Sequence, residues 1–499
     1  MKTSTDSTKS WPTYALILLG ICALTPILAM TDDIWDSGQF HNIAIRIGRM
    51  DILKTWAFES RWILQYYLYL TFDAFQRITG LPYTDLSNII SVASVLGICV
   101  ETYRIGTEKL KISKSYAQYA LAIILVYPAL ATLLCSVLTL HILCVWCFLF
   151  STRLAKRSFL AALPFFLVSL SVNSVFAFAV GYICFEKLLT VNATNWKQSL
   201  KAIFLFSLSL TVLFAVYRIF FAPYGAFAGY NSFNPNYTSI IRYCLVAIAA
   251  LLATHYILAR NFSPAQKEDL MRRSAACFLL FFFACFAYWY VGKPVKILGT
   301  NAFTPRNAYL ASVPFSLMLA IYFEALVNRF GKKKIAPIFF IVAAFLFCYQ
   351  YAAYQQKFAH LLYRDMYTAA LKKIQAPDHG FLILKTDKKI TPKYFRDFES
   401  VNLRSLYDAY GDTNWLQFYW NEKDKDQIPE RYANIFDKKN VNLFDVRHIP
   451  EGQVYTTIIR FDLKNFDPFG SPITTYDYFT KNYERYSPQV TVEKRLPPR

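Results

Sequence analysis

The sequence returns eleven times to stretches that are long and apolar enough, or nearly so, to cross a bilayer. They lie at about residues 11–30, 86–101, 116–133, 134–151, 159–172, 174–187, 201–220, 240–259, 274–291, 307–328 and 335–355. Roughly 20 apolar residues cover the hydrocarbon core. No water is present there, so each run must satisfy its own backbone hydrogen bonds, as a helix does. Hydrophobic residues make up 55% of the chain and charged residues 17%. The expected fold class is therefore an all-α polytopic membrane protein of about 11 transmembrane helices.

Loop charges set the orientation. The formal net charge is +20, which could suggest nucleic acid, but the basic residues collect in short loops between apolar runs. That is the positive-inside pattern, and no nucleic-acid partner is expected. Five loops carry it: Arg104 to Lys114, Arg153 to Arg157, Lys187 to Lys201, Arg260 to Arg273, and Arg329 to Lys334. If all five are cytoplasmic, an even number of crossings separates each from the next. Residues 159–187 must then be two short helices breaking near Asn173. Trp62 to Thr79, with Asp73, Gln76 and Arg77, must be a surface or re-entrant helix, because charge at bilayer depth is costly. The N-terminus is then inside and the C-terminus outside. The first run follows Lys2 and Lys9 like a signal peptide, but its core is long and Leu28-Ala29-Met30 is a poor cleavage site, so it reads as a retained anchor. All ten cysteines lie in or beside apolar segments, and Cys144 and Cys147 read as small core residues one turn apart.

Beyond residue 355 the apolar runs shorten and charges become dense. His360 to Gln375 and Thr391 to Tyr410 read as helices, Phe381 to Lys385 and Val454 to Leu463 as strands. The division is a membrane domain, 1–355, with an outer loop at 31–85, and a small C-terminal α+β extracytoplasmic domain, 356–499.

Candidate chemistry concentrates in the outer loops. Asp32, Asp33 and Asp36 follow the first span directly, with His41 nearby and Glu59-Ser60-Arg61-Trp62 closing the segment. Ile43, Ile47 and Met50 recur at helical spacing, as in a helix lying in the interface. Carboxylates clustered at a helix end serve as a general base or hold a hard divalent cation such as Mg or Mn, with Asp32 and Asp33 as ligands; the bland alternative is a hydrated helix end. A second outer loop holds Tyr230 to Tyr237, where Tyr230 and Asn234 mix rings with amides as a sugar-binding surface does, although an Asn/Pro turn reads the same way. A third holds Lys293, and Thr304-Pro305-Arg306-Asn307 there reads as an N-cap, a first-turn Pro and an Arg opening a helix, which would make an anion site. The alternative is an Arg snorkelling to headgroup phosphates. No Walker loop, dinucleotide fingerprint or H-E-x-x-H occurs.

An acidic pair after the first helix, a long outer loop ending in an Arg-aromatic pair, about eleven helices and an external C-terminal domain together resemble the GT-C-type integral-membrane glycosyltransferases, which use polyprenyl-phosphate-linked sugars. Within them, Asp32-Asp33 and Ser60-Arg61-Trp62 are similar to the acidic and Gly-Arg-Trp/Pro elements of the bacterial O-antigen glucosyltransferase (serotype-converting) group. Tyr127-Pro128 followed by the helical pair around Asn173 is similar in layout. The resemblance covers residues 1–190, and Ser60 stands where the group has Gly. It implies a bacterial inner-membrane enzyme that moves a sugar from a polyprenyl-phosphate donor to a glycan or lipid-linked acceptor on the extracytoplasmic face. Asp32 or Asp33 would deprotonate the acceptor hydroxyl, while Arg306, Arg61 or a bound cation stabilises the departing phosphate; Asp36, His41, Glu59, Tyr230, Asn234 and Lys293 are further substrate-binding candidates. Two other classes stay open. An O-antigen polymerase or ligase would depend more on outer Arg and His residues, and a transporter of envelope glycan precursors should show repeat symmetry and deep charge pairs.

Overall fold

The computed structural model describes residues 11–30, 50–134, 136–190, 233–254, 262–298, 304–372 and 469–486, with four strands beyond residue 380 and a few shorter pieces. Helices dominate this part. They are α1 (Trp11–Leu28), α2 (Met50–Ser60), α3 (Ile63–Thr79), α4 (Tyr83–Arg104), α5 (Lys114–Leu125), α6 (Thr139–Leu154), α7 (Phe159–Ser169) and α8 (Asn173–Thr190). Then come α9 (Tyr237–Ala253), α10 (Pro264–Tyr290), α11 (Ser312–Phe330), α12 (Lys332–Lys372) and α13 (Pro472–Thr480).

Among the described residues, four stretches are helical, long and apolar enough to cross a bilayer: Tyr83–Lys109, Pro264–Tyr290, Ser312–Phe330 and Lys332–Met366. Thr13–Leu28, Thr139–Leu154, Phe159–Ser169 and Tyr237–Ala253 are apolar but shorter. The protein is thus a helical bundle with several membrane-spanning candidates, and residues 201–220 lie largely outside the described part. The break expected near Asn173 is present, between the ends of α7 and α8.

Two expected spans take a different form. Residues 116–133 do not continue as one helix: α5 stops at Leu125, Pro128–Leu134 and Ser136–Leu138 are 3₁₀ turns, and α6 starts at Thr139. The reason is Pro128, which lacks an amide hydrogen and drives the preceding residue out of helical geometry. At this break the carbonyls of Leu125 and Tyr127 accept from the side-chain amide of Gln350 at 3.0 and 3.4 Å, the second of them also from the Leu130 amide. The last expected span and the following helix are one 41-residue element, α12, so the boundary at 355/356 falls inside a continuous helix.

Local sequence explains the helix limits. Ser263 and Gln266 form a reciprocal capping box with Pro264 behind the cap, starting α10. Gly80, at φ 72°, ends α3 in a left-handed cap. On α3 the buried residues Gln65, Tyr69 and Phe72 share one face, while half-buried Asp73 at its edge pairs with exposed Arg77 at 2.9 Å. A helix packed on one side and charged on the other fits the expected surface element. Gly181 lets α8 and α10 meet closely, since a Cβ there would lie 2.3 Å from that of Phe283.

Strands Phe381–Thr386 (β1) and Thr456–Asp462 (β3) fall where the sequence places them, and Leu416–Tyr419 (β2) and Gln489–Arg495 (β4) add to them. The sheet order is β2-β1-β3-β4, with β1 parallel to both neighbours and β3 antiparallel to β4. The proposed helix at 391–410 lies outside the described residues.

The basic loops gather at one end of the bundle. Lys109 pairs with Glu186 at 2.7 Å, Arg153 with buried Glu101 at 3.2 Å, and Arg273 with Glu324 at 3.4 Å. Each pair joins separate helices, so these loops share a side, as the parity argument requires.

Candidate functional site

The opposite end of the bundle brings together residues from many separate stretches of the chain. Its floor is the start of α6, whose Thr139 hydroxyl bonds Ser87 and Ser91 of α4 at 2.8 and 2.9 Å. One residue from Ser87, Asn88 donates its side-chain amide to the Met30 carbonyl at 2.9 Å. Met30 is therefore anchored level with the start of α6, and Asp32 follows two residues later. Asp32, Asp33, Asp36, His41 and Tyr230 lie outside the described residues.

The chain is described again at Met50. α2 ends at buried Glu59 and Ser60, and Arg61 turns it into α3 at φ 64°. Left-handed geometry is costly for a residue with a Cβ and is retained where its surroundings enforce it, often at functional sites. The Arg61 guanidinium lies 4.7 Å from the ring centre of Tyr224, whose amide donates to the Glu59 carbonyl at 3.0 Å. Trp62 then packs edge-on against Trp56 and against His141, with centroids 5.8 and 5.3 Å apart.

His141 is the residue that sequence reasoning missed. Its ring sits between Trp62 and Tyr309, the latter 5.8 Å away. Its Nε2 is buried and, among the described residues, has no hydrogen-bond partner. The Tyr309 hydroxyl is 3.2 Å from Ser174 Oγ, to which Tyr288 donates at 3.4 Å. This network fixes the Tyr309 side of the imidazole. A signal was available: an ionisable side chain inside an apolar run merits attention by default.

Arg306 and Lys293 come from the two stretches next to this ring: Arg306 three residues before Tyr309, and Lys293 on the loop that follows α10. Arg306 is not where the sequence puts it. Thr304–Ala308 is an isolated five-residue 3₁₀ turn, and α11 opens only at Ser312. The N-cap role expected of Thr304 and the helix-dipole contribution at Arg306 therefore fall away. The turn instead places Arg306 three residues before Tyr309, the residue that flanks the imidazole. Asn307 donates its side-chain amide to the Pro294 carbonyl at 3.1 Å, tying this turn to the loop that carries Lys293. Burial first, and then the nearby Arg306 guanidinium, push the Lys293 ammonium below its ordinary value.

Asn234 reaches this loop through its backbone, donating to the Tyr290 carbonyl at 3.1 Å. The approach requires glycine at 292, which has φ 75° and where a Cβ would meet the Asn234 carbonyl oxygen at 2.9 Å. Asn236 accepts from Ser239 N at 3.0 Å and caps α9, so for that amide the turn reading is the operative one. Among the described residues, no three His, Cys, Asp or Glu side chains converge in a way that could hold a metal.

The arrangement offers basic side chains, a buried imidazole nitrogen and aromatic walls, at the end of the bundle where the chain leaves α1 at Met30. It can bind an anion and pack a ring. No family model, no curated protein and no solved structure matches this chain.

Proposed function

We propose that the protein is a membrane glycosyltransferase that moves a sugar from a polyprenyl-phosphate donor to a cell-envelope glycan or lipid-linked acceptor on the extracytoplasmic face. The observation that carries this reading is the cluster of Arg306, Lys293 and His141 next to Trp62, at the bundle end remote from the basic loops. Positive-inside topology makes that end extracytoplasmic, and the C-terminal α+β region shares its side. A phosphate leaving group gains charge as its glycosidic bond breaks, and preorganised cations in a water-poor site stabilise that charge. Trp62, only partly buried, provides an aromatic surface for a pyranose. Asp32 or Asp33, two or three residues beyond the anchored Met30, deprotonates the acceptor hydroxyl. A divalent cation held by that pair would add Lewis-acid assistance to the same departure.

The reading is tested with purified full-length protein, a radiolabelled polyprenyl-phosphate hexose and a lipid-linked glycan acceptor. Label appearing in the acceptor supports it; absence of transfer across a panel of polyprenyl-phosphate sugars counts against it. The involvement of His141 with Arg306 favours one second reading, a polysaccharide polymerase or ligase. That enzyme would accept diphosphate-linked oligosaccharides in place of monophosphate-linked monosaccharides, so the same assay with both donors separates the two.

A further inference from the structure

We propose that α13 is a membrane-interface foot, whose Ile473, Tyr476 and Phe479 enter the phospholipid boundary of the leaflet opposite the basic loops and fix the C-terminal region to the bilayer surface. This holds whether or not the glycosyltransferase reading stands.

Helix α12 supplies the ruler. Through the first part of its length it exposes large apolar side chains, Ile338, Ile341, Phe345 and Tyr351 among them. From Ala353 to Tyr363 every residue is buried, whichever way it points. The partly exposed stretch, Lys332 to Ala352, is about 30 Å long at the helical rise, and a hydrocarbon core is about 30 Å thick. With Lys332, Lys333 and Lys334 at one boundary, Ala353 stands at the other, and the buried collar beyond it lies at headgroup depth. The bundle covers part of this collar, where Tyr354 donates to the Ala23 carbonyl at 2.9 Å. Helix α13 covers another part: Tyr478 stacks on Phe358 with centroids 5.5 Å apart, and just past the collar Asp365 accepts from Lys481 and from the Tyr483 hydroxyl.

That docking occupies one face of α13. Thr474, Asp477 and Tyr478 are buried, and the Asp477 carboxylate accepts from the Tyr486 hydroxyl at 2.6 Å. Ile473, Tyr476 and Phe479 follow one another at intervals of three along a different arc, and they are 49%, 65% and 52% exposed. Three large apolar side chains on the outer arc of a nine-residue helix are more than a water-facing surface needs. At headgroup depth they have a use. The rings and the Ile473 side chain meet the acyl boundary while the Tyr476 hydroxyl reaches water, which is the chemistry of an aromatic belt. The lipid-facing stripe of α12 is thus continued by α13 at the level where α12 itself becomes covered. A second copy of the chain would cover the same arc, but the level set by α12 already places lipid there.

The test places the full chain in nanodiscs of phosphatidylglycerol and phosphatidylethanolamine doped with a phospholipid that carries a photoactivatable diazirine, either beside the glycerol or at the end of an acyl chain. Cross-linked peptides are then mapped by mass spectrometry. The shallow probe is expected to label α13 at least about fivefold more than the terminal probe, since about half of the roughly 30 Å core separates the two depths. The terminal probe should instead label α12 around Phe345. Ile473→Glu combined with Tyr476→Glu leaves the docked face unchanged and should cut shallow labelling of α13 about tenfold, because a carboxylate avoids the acyl boundary, with labelling of α12 unchanged. Absence of shallow labelling on wild-type α13, beside normal labelling of α12, overturns the proposal, and this contrast decides even if the double variant undocks. Labelling of α13 chiefly by the terminal probe overturns its headgroup placement. Undiminished labelling in a double variant that stays docked overturns the role of this arc. Cross-links from Tyr476 to a second copy in place of lipid assign the arc to a dimer and overturn the lipid contact.

Discussion

The two ends of the bundle use positive charge differently. At one end, Lys109, Arg153 and Arg273 each meet a glutamate on another helix, at 2.7 to 3.4 Å. Those cations are neutralised within the protein and serve to hold helices together. At the other end, Arg61 lies over the ring of Tyr224, and an imidazole is clamped between two aromatic rings. The His141 Nε2 there is buried and has no hydrogen-bond partner among the described residues, which leaves a bonding position open at this end.

The largest expected effect lies at the second end. Asp32→Asn or Asp33→Asn should lower transfer by about 10²- to 10⁴-fold, the usual contribution of a positioned general base, at normal abundance in the membrane. Near wild-type transfer in both variants would make the pair a hydrated helix end. Next comes Arg306. Losing a preorganised cation typically costs about 2–4 kcal/mol, or roughly 30- to 1000-fold in rate. Arg306→Ala should show that loss, and Arg306→Lys should recover it only in part, because the planar fork is gone. Full activity in the Lys variant with little loss in Ala would return Arg306 to the role of a headgroup anchor.

At the first end the outcome should be the opposite in kind. Glu101 is buried and lies 2.9 Å from Arg104 and 3.2 Å from Arg153. Glu101→Gln should lower stability by about 1–3 kcal/mol, because Arg153 loses its glutamate and Arg104 keeps, among the described residues, only the longer pair with Glu108, while the folded fraction keeps its transfer rate. A selective fall in rate with unchanged melting temperature would break the contrast between the two ends. The smallest effect concerns pH. Lys293 is held below its ordinary value, and its cationic form is the low-pH form. Any phosphate affinity that depends on this charge is present below the lowered value and fades as pH rises through it, sooner than for an exposed lysine. Lys293→Arg stays charged and should flatten that decline in a binding titration from neutral to alkaline pH.

How much of this was legible in the sequence depended on the range of the interaction that decides each feature. Parity of basic loops located the break before Asn173, because it needs only the order of charges along the chain. The β1 and β3 strands were readable from local apolar runs. The interruption at Pro128 carried its signal in the open, yet a hydropathy window averages over a single proline and draws one span. Arg306 was picked out for a helix start that does not form; the residue belongs to the site through the fold of Thr304–Ala308 beneath Tyr309. His141 was passed over because one imidazole in an apolar run resembles ordinary core. Only the arrival of Trp62 from a position 79 residues earlier and Tyr309 from 168 residues later distinguishes it.

Helix α12 carries a consequence of its own. Near its middle, Gln350 and Tyr354 bond the backbone of Leu125 and Ala23 inside the bundle. Immediately afterwards Gln355 is approached by Gly470, and Phe358 stacks on Tyr478 of α13 at 5.5 Å. A helix turns about 100° per residue, so the angular setting of the C-terminal α13 about the bundle is written in the residue count between these two sets of contacts. One residue inserted between Tyr354 and Gln355 would rotate the docking face by that angle without disturbing either set internally. Cysteine pairs joining Phe358 and Tyr478 in the parent should still cross-link, while pairs joining α13 to the bundle should lose register. The helix thus works as a dial, set by spelling and not by affinity.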